Sequence, residues 1–324
     1  MCVRWHIKWM KMKNVLITGG AGFIGSYLIK RMLSEGHNVV CVDNLILGTR
    51  SNIEEYQNEE NFFFYEMDVE NIDKLDALVK EHQIEEVYHL AANSDIQKSA
   101  KNPNLDLQNT FSTTYSVLEC MRRNDVKKLF FASTSAVYGE KVNEKLTESV
   151  GELQPVSYYG AAKLASEAFI SSYAHMNDMQ ILVFRFPNVI GPNLTHGVVF
   201  DFIHKLKKNP LELEILGNGT QCKPYLHVED LIDAIIEFMQ RKHYGVEIYN
   251  IGVETATTVT EIANLVCEKM QLENVIYRYT GGDIGWKGDV PYFQYNLNKI
   301  HERGWKARYN STEAIRATLN TITI

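Results

Sequence analysis

Short apolar runs alternate with amphipathic segments along most of the chain. The first run, residues 14–18, ends at Gly19 and Gly20, and residues 23–34 then place apolar side chains at helical spacing. Later apolar runs have the length of buried strands and lie at residues 37–42, 62–65, 86–90, 128–132, 180–184 and 247–251. Helical patterns fall between most of them, at residues 72–82, 109–123, 160–175, 199–208 and 228–239. This alternation predicts an α/β fold, a doubly wound parallel sheet with helices on both faces.

The pattern changes after Pro187, where turn-rich sequence and a polar, aromatic C-terminal stretch replace the regular alternation. We expect residues 13–187 and 227–258 to form the main domain around the sheet. Residues 188–226 and 259–324 are expected to form a second, smaller α/β lobe that binds substrate. No Gly/Ser-rich linker separates these segments, so we expect the two lobes to pack closely.

Composition and charge narrow the class of protein. The chain has 324 residues, of which 45% are hydrophobic, and a net charge of -7, without the basic surplus of nucleic-acid-binding proteins. Its apolar runs are shorter than the roughly 18–20 residues that span a bilayer, so neither nucleic acid nor membrane is an expected partner. Five scattered cysteines without a CxxC pair favour a reducing cytoplasm. His196 and His227 have no second ligand at metal spacing, so we expect no metal site.

The first twelve residues are basic and contain Trp5 and Trp9, but they have no continuous apolar stretch. They therefore do not match a signal peptide. We expect residues 1–12 to be a disordered leader, or translation to begin at Met10 or Met12. Contact of the two tryptophans with a membrane or a partner is the alternative.

Three glycines in the sequence GGAGFIG follow the first predicted strand and open the first helix. Gly19, Gly22 and Gly25 allow a tight turn and let backbone N–H groups approach a pyrophosphate at a helix N-terminus. Asp43 ends the next strand, 18 residues after Gly25, where a carboxylate can bind an adenosine ribose and repel a 2′-phosphate. These features predict NAD rather than NADP. The alternative for Asp43 is a turn residue at the strand end, and Arg50 nearby would soften the preference.

Further motifs follow in order along the chain. They are Asp43-Asn44-Leu45 with Gly48, Asp68-Val69, His89-Leu90-Ala91-Ala92, STSAVYG from Ser133 to Gly139, Tyr159-Gly160-Ala161-Ala162-Lys163, and Arg185-Phe186-Pro187-Asn188-Val189 with Gly191-Pro192. Together they resemble the extended short-chain dehydrogenase/reductase family of nucleotide-sugar epimerases and dehydratases, from Val15 to about Trp305. The resemblance implies a Rossmann-type fold and NAD contacts from Gly19, Gly22, Phe23, Ile24, Gly25, Asp43, Asn44, Asp68, Val69, Leu90, Ala91, Ala92, Asn109, Ser133, Tyr159, Lys163 and Phe186.

The resemblance also implies that Thr134, Tyr159 and Lys163 are catalytic. Tyr159 and Lys163 are four residues apart on a predicted helix and therefore share a face. A free tyrosine has a pKa of roughly 10, whereas a general base at neutral pH needs a value near 7. We expect the ammonium of Lys163 and a positive nicotinamide ring to lower the pKa of Tyr159. A packed tyrosine and a solvated lysine are the alternative.

A 4-keto sugar bound at such a site can react onward in several ways. The two residues after Thr134 bear on which reaction follows. Dehydratases and decarboxylases of the resembling family typically carry Asp-Glu or a Glu there, whereas this chain has Ser135 and Ala136. Because Ala136 cannot help to expel water, we expect an NAD-dependent nucleotide-sugar epimerase that acts at C4 through a transient 4-keto intermediate. A 4,6-dehydratase, a reductase or an other-position epimerase is the alternative. A non-catalytic NAD(P)-sensing protein is more remote, because Tyr159 and Lys163 are both present.

The same resemblance implies substrate contacts from Thr134, Ser135, Ala136, Tyr159, Asn188, Val198, Val199, Lys223, Tyr225, Lys287 and Asp289. Lys223 stands where the family usually has an arginine on the diphosphate, and Trp286 or Lys287 replaces a second arginine. Solvated surface charges are the alternative for both lysines. The resemblance further implies a homodimer through helices 109–123 and 160–175. The base stays open among UDP, GDP, dTDP and CDP, with UDP the most frequent in the family.

Overall fold

The computed structural model describes residues 11–141, 144–194, 196–286 and 288–322. Trp5, Trp9 and nearly all of the predicted leader therefore lie outside the described residues. The strands are β1 (Asn14–Thr18), β2 (Asn38–Asp43), β3 (Phe62–Glu66), β4 (Glu86–His89), β5 (Lys128–Thr134), β6 (Lys145–Leu146), β7 (Gln180–Phe186), β8 (Asn188–Ile190), β9 (Glu212–Ile215), β10 (Cys222–Lys223), β11 (Tyr225–His227), β12 (Val246–Asn250), β13 (Thr257–Thr258), β14 (Ile276–Tyr279) and β15 (Gln294–Tyr295).

Helices fall between most of these strands. They are α1 (Phe23–Ser34), α2 (Ile72–Glu81), α3 (Ile96–Ser99), α4 (Asn104–Asp106), α5 (Thr113–Arg123), α6 (Tyr158–Asn177), α7 (Val198–Lys208), α8 (Val228–Met239), α9 (Val259–Met270), α10 (Asn298–Glu302) and α11 (Ser311–Thr321). A π-helical segment, Leu107–Ser112, joins α4 to α5, so the helix predicted over residues 109–123 begins in this wider turn. Short 3-10 turns occupy Arg50–Asn52, Glu54–Tyr56 and Ser135–Tyr138.

The main sheet of the described chain has seven parallel strands in the order β12-β7-β5-β4-β1-β2-β3. The order reverses between β1 and β4, which is where doubly wound sheets form a ligand crevice. Thr18 pairs with His89, and Thr134 pairs with Phe186, so the strands end close together at this edge. All seven strands coincide with predicted apolar runs to within two residues, and the predicted fold class is confirmed.

Helices cover both faces of the sheet, which explains why its strands are almost continuously apolar. On one face α1 packs against α8, and both bury their apolar sides in the same core cluster. On the other face α5 packs against α2 and α6, above a second buried cluster that includes Leu16, Val87 and Phe131. The helices on the two faces hold the strand ends, and with them the site, in fixed positions.

A third buried cluster joins α7, α9 and α11 with β9 beside the sheet, and includes Phe202, Ile262, Val266 and Ile315. Capping boxes begin two of these helices. Thr258 with Glu261 caps α9, and Asn310 with Glu313 caps α11, which satisfies backbone N–H groups that have no partner inside a helix. The sequence boundaries of the two lobes stay a prediction.

No helix in the described ranges is long and apolar enough to cross a lipid bilayer. Among the same residues, no three His, Cys, Asp or Glu side chains cluster so that they could hold a metal ion.

Candidate active site

A cavity of about 820 Å³ opens at the carboxyl edge of the sheet, toward the third cluster. Such a volume lies in the upper part of the range for ligand sites in proteins. The predicted site residues that line it are Gly19, Gly22, Phe23, Ile24, Gly25, Asp43, Asn44, Asp68, Val69, Leu90, Ala91, Ala92, Asn109, Ser133, Thr134, Ser135, Ala136, Tyr159, Lys163, Phe186, Asn188, Val198, Val199, Lys223, Tyr225 and Asp289. Lys287 lies outside the described residues. The fold thus gathers the predicted residues, and their individual roles stay predictions.

The glycine turn after β1 is packed too closely for side chains. Gly19 has φ +71°, and a Cβ there would lie 2.6 Å from the backbone nitrogen of Ala91. A Cβ on Gly25 would lie 2.3 Å from the carbonyl oxygen of Gly19. Gly22 precedes α1 without a side-chain cap, so the helix N-terminus faces the cavity bare. This cradle fits the pyrophosphate of the predicted NAD, because helix N-termini attract anions.

Asp43 supports the turn and also faces the cavity. Its Oδ2 accepts a hydrogen bond from the Ala21 N–H at 3.0 Å, and its Oδ1 accepts one from the Leu45 N–H at 2.8 Å. Burial raises the pKa of Asp43, while these two hydrogen bonds lower it. The turn role and the ribose role are therefore compatible in one carboxylate. Arg50 pairs with Glu66 instead of Asp43.

Thr134 and Tyr159 meet in the wall of the cavity. Thr134 ends β5 and accepts a hydrogen bond from the Ala136 N–H at 3.2 Å, so it caps the following turn. Its side chain also interacts with the phenol of Tyr159, near the start of α6. Burial raises the pKa of Tyr159, and the bond with Thr134 only partly offsets this. Desolvation therefore dominates the protein's own contribution to this pKa, and the lowering by Lys163 together with the nicotinamide ring stays a prediction.

Lys163 lies one helical turn after Tyr159 and is only 2% exposed. Its Nζ donates a hydrogen bond to the Ala132 carbonyl at 2.6 Å and lies 4.6 Å from the centre of the Phe131 ring. Burial lowers the pKa of Lys163 to about 7, although Glu167 and Asp106 raise it. The alternative of a solvated lysine is therefore wrong.

A buried ion pair beneath the catalytic residues was missed in the sequence. Glu167 accepts hydrogen bonds from Arg185 at 3.0 and 2.6 Å and from the Ser133 hydroxyl at 2.5 Å. Arg185 also donates to the Tyr138 hydroxyl at 2.9 Å. The carboxylate thus ties α6 to β5 next to Thr134. The available signal was a pair of charged residues inside otherwise apolar segments.

The turn after Thr134 carries no acidic side chain. Ser135 is hydrogen-bonded to Tyr295, whose hydroxyl donates to the Arg185 carbonyl at 3.1 Å. Ala136 lines the cavity beside it. This wall can hold a sugar oxygen through hydroxyl groups, but neither Ser135 nor Ala136 can transfer a proton as a carboxylic acid does.

At the far end of the cavity Lys223 forms an ion pair with Asp289. The Lys223 ammonium lies 5.1 Å from the centre of the Trp286 ring, and Asp289 accepts a hydrogen bond from the Gly285 N–H at 3.2 Å. The indole N–H of Trp286 is buried and has no hydrogen-bond partner within the described residues. Lys223 is therefore not a solvated surface charge. This end offers a cation and a spare donor to an anionic ligand.

Several cavity residues were not predicted. Asn93 and Asp95 directly follow the His89–Ala92 motif, and Phe200 follows the predicted Val198 and Val199. Adjacency to these motifs was the only signal for them.

The two histidines considered as metal ligands differ in their surroundings. His196 lines the cavity. His227 instead accepts a hydrogen bond from the Glu229 N–H at 3.4 Å and caps α8, which is a structural role.

Comparisons with known proteins match this geometry. The profile of the NAD-dependent epimerase/dehydratase family matches residues 15–252. A putative UDP-glucose 4-epimerase of Methanocaldococcus jannaschii is 30% identical over 312 residues, covering 94% of this chain and 97% of that protein. A UDP-glucuronate 4-epimerase of Thermodesulfobacterium geofontis is 28% identical and covers 95% and 96%.

A solved structure adds the same likeness in three dimensions. The UDP-glucose 4-epimerase of Thermotoga maritima, crystallised with UDP-glucose, superposes with a TM-score of 0.84 at 30% identity. The match covers 95% of this chain and 97% of that chain. With its glycine cradle, its Thr134–Tyr159 contact and these matches, the chain belongs to the NAD-dependent epimerase/dehydratase family, and its cofactor is NAD.

Proposed function

We propose that this protein is an epimerase of a UDP-linked sugar and inverts the configuration at C4. The observation that carries the proposal is the Thr134–Tyr159 contact in a cavity whose adjoining residues, Ser135 and Ala136, are not acidic. Relatives named as UDP-sugar 4-epimerases support both the base and the carbon.

Each part of the cavity has a task in this reaction. Gly19, Gly22 and Gly25 hold the pyrophosphate of NAD, and Asp43 holds its adenosine ribose. NAD, when bound, supplies a hydride acceptor that later returns the hydride. Tyr159 takes the proton of the sugar 4-hydroxyl and gives it back, while Thr134 orients the sugar oxygen.

The charge of Lys163 affects the proton transfer between the sugar 4-hydroxyl and Tyr159. An ammonium near the phenol favours the phenolate, and a positive nicotinamide ring acts in the same direction. The burial of Tyr159 makes this help necessary, because the protein alone raises the pKa of the phenol.

The substrate extends from Tyr159 toward Lys223. We propose that Asn188, Val198, Val199 and Tyr225 position the nucleotide, and that the Lys223 ammonium neutralises its diphosphate. Asp289 then shares the Lys223 ammonium with the diphosphate instead of pairing with it alone. Binding therefore does not leave Asp289 without a countercharge.

A dehydratase is the main alternative. Elimination of water from C5 and C6 needs an acid–base group beyond Tyr159, and the family supplies it after the catalytic Ser/Thr. Ser135 and Ala136 lack that chemistry, which favours epimerisation. A reductase or an epimerase at another carbon uses the same first step. A sensing protein without turnover does not need Tyr159 and Lys163 in contact with the cavity.

Proton NMR tests the proposal. The purified protein is incubated with NAD and with UDP-, GDP-, dTDP- and CDP-hexoses in turn. With a UDP-hexose, we expect a new anomeric proton signal from a product of the same mass as the substrate. We expect no net formation of NADH. A 4-keto-6-deoxy product would assign the protein to the dehydratases, and turnover with another base only would refute the UDP assignment.

We also propose a homodimer that forms through the π segment, α5 and α6. Leu107, Tyr115 and Phe169 are 54%, 40% and 40% exposed there, and the Phe111 and Phe169 rings lie 5.1 Å apart. A dimer would bury this aromatic surface. Light scattering should give twice the chain mass for the wild type and for Tyr244→Glu, an exposed residue outside these helices, and one chain mass for Phe169→Glu.

The free thiols support a further proposal, that the protein works in the reducing cytoplasm. Cys41, Cys120 and Cys267 are buried and unpaired, and such thiols persist in reducing compartments. Cell fractionation with an antibody against the protein tests this placement.

A further inference from the structure

Four hydrogen-bonded side chains connect the glycine cradle to the catalytic helix, and we refer to them as the buried network. They are Thr18, the last residue of β1 before Gly19, His89 at the end of β4, Thr114 on α5 and Ser166 on α6. Each of the four residues is at most 1% exposed. Water therefore does not compete for the hydrogen bonds between them.

Both ring nitrogens of His89 have a partner in this network. Nδ1 lies 2.7 Å from the Thr18 hydroxyl, and Nε2 lies 3.0 Å from the Thr114 hydroxyl. Thr114 donates its own hydroxyl proton to the Thr110 carbonyl at 2.7 Å, so toward His89 it accepts. Nε2 therefore carries the ring proton, and Nδ1 accepts from Thr18. Burial lowers the pKa of His89 to about 3, and the charge of Lys163 acts in the same direction, so the ring is neutral at pH 7.

The two ends of the buried network lie beside the cofactor cradle and the catalytic residues. Thr18 accepts a hydrogen bond from the Ala91 N–H at 3.4 Å, and both residues border the glycine turn. At the other end the Ser166 hydroxyl donates to Thr114 at 3.2 Å. Ser166 lies three residues after Lys163 and therefore on the same side of α6. A displacement at one end is thus passed to the other through side chains that are in contact.

Burying polar groups at this depth costs desolvation, which their hydrogen bonds offset with little net gain in stability. What the bonds add is direction, because each donor has to meet its acceptor. Apolar side chains of similar size would allow the strand ends and the helices to shift against one another. The buried network instead favours a single arrangement of β1, β4, α5 and α6.

We propose that His89 is a positioning residue, which holds the cofactor cradle and the catalytic helix in one relative position so that bound NAD meets Tyr159 and Lys163 in alignment. Because His89 is completely buried, it acts through Thr18 and Thr114 and not by contact with a ligand. The expected effect on turnover rests on the proposed function. The expected effect on NAD binding does not.

The test removes the acceptor of the imidazole N–H at nearly constant side-chain size, by Thr114→Val. We expect kcat for the nucleotide sugar identified by NMR to fall by roughly 10–100-fold, with KM for the sugar changed by less than about twofold, because the reacting groups are misaligned. The dissociation constant of NAD should rise by about three- to tenfold, because NAD then has to order the cradle. Thr114→Ser keeps the hydroxyl and should restore both values to within about twofold of the wild type.

Thr318→Val is the matched control. Thr318 is 1% exposed and donates its hydroxyl to the carbonyl four residues earlier, as Thr114 does, but it lies on α11. Its substitution should leave kcat and NAD affinity unchanged. Thr18→Val breaks the buried network on the other side of the imidazole. Thr18→Val and Thr114→Val together should reduce kcat little more than either alone, because both remove the same connection.

Unchanged kcat and NAD affinity in Thr114→Val would overturn the inference, even if urea unfolding showed a loss of stability. Equal losses in Thr114→Ser, or additive losses in the double variant, would overturn it as well. Far-ultraviolet circular dichroism confirms that each variant is folded at the assay temperature. If the wild type turns over no nucleotide sugar, the proposed function fails, and isothermal titration of the same variants with NAD still decides the role of His89.

Discussion

The side chain of Thr134, at the end of β5, interacts with the phenol of Tyr159, at the start of α6, and this contact lowers the pKa of the phenol against the effect of burial. The strand and the helix are held together by Glu167, which bonds Ser133 beside Thr134 and lies on α6. Contacts within the protein thus hold the pair in place. Such preorganisation is what a proton transfer needs, because the geometry costs nothing at the moment of reaction.

Removing the phenol hydroxyl should abolish most turnover. Tyr159→Phe is expected to lower kcat by about 10²–10⁴-fold with little change in KM, the range for loss of one general acid–base group. Steady-state kinetics on the sugar identified by NMR measure it. Tyr158→Phe is the control, because Tyr158 precedes it on α6 and is 50% exposed. Equal effects of the two substitutions would contradict the assignment.

The burial of Lys163 should make stability depend on pH. Its pKa is lowered from 10.5 to about 7, so between these values the unfolded chain binds a proton that the folded chain does not. Stability from this residue therefore rises with pH across that window, by at most about 1.4 kcal/mol per pH unit, and is constant below it. Urea unfolding from about pH 6.5 to 9.5 should show that the free energy of unfolding of the wild type rises relative to that of Lys163→Met. A constant difference would contradict this.

Loss of the Glu167 carboxylate should leave Arg185 as an uncompensated buried charge. Their side chains are 5% and 3% exposed, so Glu167→Gln is expected to cost about 3–5 kcal/mol of unfolding free energy. Glu212→Gln removes an exposed partner of Arg278 and should cost at most about 1 kcal/mol. Chemical denaturation measures both. Similar losses of unfolding free energy would show that the buried pair contributes no more to stability than the exposed pair.

The glycine cradle predicts a steric effect on cofactor binding. A methyl group on Gly25 would collide with the Gly19 carbonyl, so Gly25→Ala should weaken NAD binding by at least about tenfold. Isothermal titration with NAD gives the dissociation constants. Gly151→Ala should bind as the wild type does, because no atom lies within 4 Å of a Cβ at Gly151. Unchanged affinity in Gly25→Ala would place the pyrophosphate elsewhere.

Local signals carried the sequence predictions that the structure confirms. The seven sheet strands are short apolar runs bounded by turns, and both signals are contained in a few neighbouring residues. The glycine cradle was found because it lies between a strand and a helix, whereas Thr134, Tyr159 and Lys163 were identified through the family resemblance of their motifs, and their roles stay predictions. The π-helical start before α5 was missed, because the sequence periodicity does not separate it from an α-helix.

Long-range contacts were beyond the sequence. The partners Lys223 and Asp289 are distant along the chain, and their ion pair exists only because the fold brings two loops together. The depth to which Tyr159 is buried, which raises the pKa of its phenol, is likewise a property of the whole fold.

The central claim is that C4 of the sugar is oxidised and then restored, with Tyr159 moving the hydroxyl proton and bound NAD supplying the hydride acceptor. The most direct measurement uses UDP-glucose labelled with deuterium at C4, with NAD and unlabelled water, and follows the product by NMR and mass spectrometry. We predict an epimer of unchanged mass that keeps the deuterium at C4, without net NADH. A product that has lost water, or an epimer that has lost the label to solvent, would contradict the account.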